Sequence, residues 1–247
     1  MSDLGPYRSS RLLRRCIRSL LSESQEETKG DIDPRISAKI EKLGSYPGLG
    51  IHIDYDDDGV KIEYAIIETR PRLKKPVITS LADQIPEYPV WGHIIISNDQ
   101  ENGPCLRETF DEPWVIVTVE SEAGAGWGPL LYDVAIEYAS MNGGGLMSDR
   151  STVSAAAVSV WDKYAARGDV TGHQLDISHD PDLSNDFERS VTQITPAYLD
   201  DDCVQTRALE AGGAEGWMKS PLSKLYRKSG TPAMDALSAA GLLWDET

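Results

Sequence analysis

The chain has 247 residues, enough for one large domain or a medium domain with extensions, and it holds no run of about 18 consecutive apolar residues that would cross a membrane as a helix. Asp and Glu total 40 against 24 Lys and Arg, a formal net charge of −16, which opposes general binding to DNA or RNA except through a local basic patch. Cys16, Cys105 and Cys203 lie far apart without CxxC spacing, so neither a disulfide framework nor a zinc site is expected. With no apolar signal segment or small-residue cleavage site near the start, a reducing, cytoplasmic setting is the expectation.

Residues 7–22 predict a basic amphipathic helix: Leu12, Leu13, Cys16, Ile17, Leu20 and Leu21 recur at helical spacing beside Arg8, Arg11, Arg14, Arg15 and Arg18. Such a helix suits a membrane surface, nucleic acid or an acidic protein partner, and it suits equally well the chain's own acidic C-terminal half. A polar stretch follows to Pro34, then a short helix over 34–43 stopped by Gly44. Alternation over 51–55 and 60–68, with Asp56-Asp57-Asp58-Gly59 between them, predicts a β-hairpin. Prolines 71, 76, 86 and 89 mark an irregular connection, and 90–97 and 114–120 read as two further strands.

A helix is predicted over 128–141, with Pro129 in its first turn and Gly143-Gly144-Gly145 ending it. A short strand near 145–147 and a helix over 152–166 complete a strand, helix, strand, helix run. Beyond 170 the pattern weakens to a strand at 203–209 and a helix at 232–243. The division that results is a helical arm and linker at 1–44, a central domain at 45–170 and an acidic extension at 171–247.

The segment from Val115 to Leu131 concentrates the chemistry: an apolar strand feeds Gly124-Ala125-Gly126-Trp127-Gly128, and the loop opens a helix. Backbone N–H groups at the positive end of a helix, beside glycines without side chains, form a cradle for phosphate or pyrophosphate. Pro129-Leu130 stand where a P-loop needs Lys and Ser or Thr, and the two-residue glycine spacing after antiparallel-looking strands does not fit a dinucleotide fingerprint. Tight packing of strand on helix would also account for the glycines.

Over residues 51–169 the order of elements resembles the GNAT superfamily of N-acetyltransferases, particularly acetyltransferase-like proteins encoded by bacteriophages. In that family the loop after the fourth strand reads Gln/Arg-x-x-Gly-x-Gly/Ala; Gly126-Trp127-Gly128 match the glycine part and Ala123 stands at the Gln/Arg position. The later helix often carries Asn-x-x-Ala-x-x-Leu-Tyr; here Ser154, Ala157, Val160 and Trp161 occupy those positions. The resemblance implies an α+β fold with a mixed, mainly antiparallel sheet flanked by helices, and acetyl transfer from acetyl-CoA to an unidentified amine. It implies a cofactor set of Val117, Val119, Gly124, Ala125, Gly126, Trp127, Gly128, Leu130, Ser154 and Trp161, with loop amides on the pyrophosphate and the pantetheine arm between the splayed fourth and fifth strands. An indole does not protonate a departing thiolate, so Tyr164, one turn further on, is the candidate acid, with Glu120 or Glu122 as base. The rival expectation is a catalytically inactive GNAT-like module with a structural or interaction role, for instance as a component of a phage virion.

No metal site is expected. Asp176, His179, Asp180, Asp182, Asp186 and Glu188 lack the Gly and Glu of a calcium loop, and His52 and His93, in strand patterns, read as structural.

Overall fold

The computed structural model describes residues 32–56, 59–68, 77–80, 92–98, 113–121, 126–149, 153–174 and 219–246. These form nine strands and four α-helices in the order α1 (Pro34–Gly44), β1 (Leu49–Asp56), β2 (Gly59–Glu68), β3 (Val77–Ser80), β4 (Gly92–Ser97), β5 (Trp114–Ser121), α2 (Gly128–Asn142), β6 (Leu146–Met147), α3 (Ala155–Ala165), β7 (Thr171–Gln174), β8 (Lys224–Arg227), α4 (Pro232–Ala239) and β9 (Leu243–Asp245). The expected arm helix over 7–22, the expected strand over 203–209 and the acidic segment 176–188 lie outside the described residues.

One mixed sheet runs β7-β8-β6-β5-β4-β2-β1-β9, with β3 also on β2. The β1–β2 hairpin is antiparallel from Leu49 opposite Ile66 to Asp56 opposite Gly59. Gly59 has φ 146°, and a Cβ there would lie 2.3 Å from the Ile96 carbonyl oxygen, so only glycine fits where the hairpin returns against β4. The edge of β2 is divided end to end: Val60–Glu63 pair with β4, Ala65–Glu68 with β3. Antiparallel pairing dominates, and the β5–β6 and β1–β9 pairs are parallel.

Alternation along the strands sends Ile51, Ile53, Ile62, Tyr64, Ile94 and Ile96 to one face, where each is fully buried. Helix α2 lies at the centre of this core: residues Leu130–Ala139 are all buried, including Asp133 and Glu137. Its low amphipathicity follows, since a helix covered on all sides has no solvent face to pattern.

The boundary drawn at 44/45 is corrected by the packing. Ile36, Ile40 and Leu43 on α1 are buried in the same core, so α1 belongs to the domain rather than to the arm. The division at 170/171 is corrected likewise: β7 and β8 extend the sheet beside β6, and Leu225, Tyr226, Ala233 and Leu237 enter the same core. The helix read to 243 ends at Ala239, and the chain turns through Gly241 to add β9 alongside β1. Strand β3 falls within the stretch read as irregular.

Candidate functional site

Strand β5 carries a bulge. Ile95 pairs with Thr118 and Ile96 with Ile116, so Val117 is the extra residue and bends the strand. On its other side β5 pairs with β6 only through Trp114 and Val115, because β6 is two residues long. From Ile116 to Ser121 no strand among the described residues pairs with that edge. Val117 and Val119 are half-buried on this stretch, and Glu120 is exposed near its end.

The strand leads to the start of α2. Gly126 has φ 71°, a left-handed conformation that L side chains rarely adopt, and a Cβ there would sit 3.4 Å from Lys39 Nζ. Trp127 takes the N-cap position without a side-chain cap, and Pro129 brings no N–H, so the opening turn is electropositive with little internal compensation. Helix α1 adds charge from one side. Lys39 Nζ donates to the Gly126 carbonyl, and the ammonium groups of Lys39 and Lys42 lie 5.4 and 5.2 Å from the centre of the Trp127 indole. Burial, and then the neighbouring Lys42, push the Lys39 ammonium below its ordinary pKa. An anion bound here would offset that repulsion, so the chemistry of the donors fits a phosphate or pyrophosphate.

Trp127 itself is an anchor. Its side chain is 2% exposed, edge-on to Tyr46 and Tyr64, and the Tyr64 hydroxyl donates to the Trp127 carbonyl at 2.9 Å. Its indole is therefore core, and what it offers a ligand is the backbone. Leu130 is likewise buried, its N–H turned to the Trp127 carbonyl at 3.1 Å. Ser154 caps α3 through a hydrogen bond from Ala157 N at 3.2 Å. Glu122, Gly124 and Ala125 lie outside the described residues.

Two expected roles change. Trp161 is buried, stacked on Tyr226 at 4.8 Å and edge-on to Tyr132, which encloses the indole in an aromatic cluster instead of presenting it to a cofactor. Tyr164 is also buried. Its hydroxyl donates to the Asp133 carboxylate and lies 2.9 Å from the Pro129 carbonyl, and burial followed by the Asp133 charge pushes its pKa well above the ordinary phenol value. A proton so held is a poor one to deliver to a thiolate. Through these contacts Tyr164 ties α3 to the first turn of α2.

Asp133 also receives Arg167 at 2.8 and 3.0 Å and the Lys228 ammonium, which reaches Glu137 at 2.8 Å. Glu137 accepts the N–H groups of Ala233 and Met234 at 3.0 and 2.8 Å, so it caps α4 from a neighbouring helix. These buried charges satisfy one another and fix the C-terminal segment to α2.

On the opposite face of the sheet, register aligns four titratable residues. His52 is opposite Glu63, Glu63 opposite His93, and His93 opposite Glu120. Directly paired residues share a face, so the row crosses four strands and ends beside the loop. Glu63 is 5% exposed; burial would raise its carboxyl, but His52, Ser80 and Lys61 outweigh that and hold it below its ordinary pKa. Sequence reading missed this row, because the alignment depends on pairing between distant segments, and it missed Lys39 and Lys42, whose only local signal is i, i+3 spacing on α1.

No family model matches this sequence, and neither the curated proteins nor the solved structures searched gave a match.

Proposed function

We propose that this protein is a GNAT-like acyltransferase that takes acetyl-CoA as donor and an amine as acceptor. The observation that carries the reading is the continuity of two features: an electropositive helix start flanked by Lys39 and Lys42, and a strand edge over Ile116–Ser121 without a described partner. CoA has a pyrophosphate joined to an amide-bearing arm, which suits an anion cradle followed by a strand edge. The strand, loop, helix, strand, helix order and the limiting of the β5–β6 pairing to Trp114 and Val115 support the family resemblance.

In this reading the amine nitrogen attacks the thioester carbonyl, the C–N bond forms, the C–S bond breaks and CoA leaves as thiolate. Glu120, opposite His93 at the end of β5, takes the amine proton directly or through water. A thiolate of ordinary pKa near ~8.5 needs no strong acid to leave, so the engagement of Tyr164 does not bar turnover. That engagement is also what favours the second reading, a non-catalytic module of the same fold.

The test is calorimetric titration of the full chain with acetyl-CoA and CoA, followed by thiol release in the presence of a panel of amines. Saturable binding with amine-dependent thiol release supports the transferase. Binding without release supports the inactive module, and no binding at millimolar ligand removes the acyltransferase.

A further inference from the structure

We infer that the sheet face at β1 and β9 holds a divalent transition-metal site, formed by His52, Asp54 and Glu246, with Zn2+ the best match. Their ligand atoms all lie within 4.8 Å of one another. The chain builds this from two strands: His52 and Asp54 are two apart on β1 and share a face, and Glu246 follows β9, where its N–H donates to the Ile53 carbonyl at 2.9 Å. Trp244 lies opposite His52 in the parallel pair, which sets Glu246 next to Asp54.

The second observation is the imidazole. His52 is 7% exposed, its Nδ1 side is taken up by Glu63, and its Nε2 has no hydrogen-bond partner. A buried ring nitrogen left in that state is costly unless it has another use. Nδ1 faces the Glu63 carboxylate at 3.5 Å, and Glu63 is in turn held by Ser80 and by Lys61 at 3.0 Å. A carboxylate behind a histidine is the arrangement that orients a metal ligand and raises its basicity, leaving Nε2 for the ion.

Charge points the same way. Two carboxylates sit side by side at the edge of a chain of net charge −16. Lys61, the cross-strand neighbour of Asp54, gives its ammonium to Glu63. Tyr55 N donates to Asp54 at 2.7 Å and Trp244 Nε1 to Glu246 at 3.2 Å, and these contacts steady the two side chains. One imidazole and two carboxylates suit Zn2+, with a position left for water, whereas Mg2+ and Ca2+ favour all-oxygen sets. Tetrahedral Zn2+ with bonds of about 2.1 Å places its ligands roughly 3.4 Å apart, a closure that side-chain rotation supplies. The ion would clip the C-terminal strand to β1, and this proposal does not depend on the acyltransferase reading.

The full chain, stripped with chelator and dialysed, is titrated with Zn2+ by calorimetry and followed by thermal melting, with Mg2+ and Ca2+ as comparators. The expected result is one Zn2+ per chain at micromolar affinity, a raised Tm, and binding weakened about tenfold or more in His52→Asn and in the double variant Asp54→Asn/Glu246→Gln. Glu63→Gln should weaken it by about tenfold, and Glu41→Gln, on an exposed position of α1, should leave it unchanged. Should His52→Asn fail to fold, the double variant at the strand ends carries the decision. No saturable Zn2+ binding, equal binding of Ca2+ and Zn2+, or wild-type affinity in the double variant would each overturn the site.

Discussion

The Tyr164 hydroxyl donates to the Asp133 carboxylate and so joins α3 to the buried charge cluster of α2, next to the turn where the proposed anion site begins. The bond secures helix packing, so Tyr164→Phe should lower stability by about 1.5–3 kcal/mol, the range for a buried hydrogen bond to a charged group. Any transferase rate should stay within a few fold of wild type. A loss of a hundredfold or more in a folded Tyr164→Phe protein would restore Tyr164 as the acid.

Lys228 is the shared counter-ion of Asp133 and Glu137. Burial opposes its charge, but the two carboxylates outweigh burial and hold its pKa above the ordinary lysine value. Lys228→Met leaves both carboxylates short of a cation and should cost about 3–5 kcal/mol, read by urea unfolding. An unchanged midpoint would show that Arg167 and the α4 amides suffice. In the wild type the Lys228 contribution is whole below the unfolded lysine pKa and declines as pH rises through the higher folded value.

Asp33 caps α1, and its bond to the Arg35 guanidinium, more than any other contact, holds its carboxyl at about 2. Because the folded pKa is below the unfolded one, its contribution is complete above about pH 4 and lost as pH falls towards 2. Asn keeps a capping oxygen without the charge. Asp33→Asn should therefore melt at a lower temperature at pH 7 and lose less between pH 4 and 2 than wild type; parallel Tm curves across that window would refute this.

Elements marked by local chemistry were legible in the sequence. Asp56 to Gly59 announced the hairpin, and Pro129 with Gly143 bracketed α2. Short strands that exist only because a neighbour pairs with them were not: β3 lies among prolines, and the three-residue β9 begins at Leu243, which read as the end of a helix. The glycine loop was legible as the proposed anion site, but the lysines beside it come from a helix 87 residues earlier in the chain. Trp161 and Tyr164 were placed on the correct helix, yet their burial against Tyr226 and Asp133 is set by long-range packing that spacing does not encode.

Gly126 and its lysines give the account its most direct test, calorimetric titration of CoA into wild type, Gly126→Ala and Lys39→Ala/Lys42→Ala proteins whose folding is checked by near-UV circular dichroism. Alanine at φ 71° costs about 1–2 kcal/mol of backbone strain, and loss of two cations removes the field beside the helix start. Saturable binding to wild type is expected, weakened about tenfold or more in the double lysine variant, whose affinity should fall less steeply as salt is raised. Equal affinity in wild type and the folded lysine variant would contradict it.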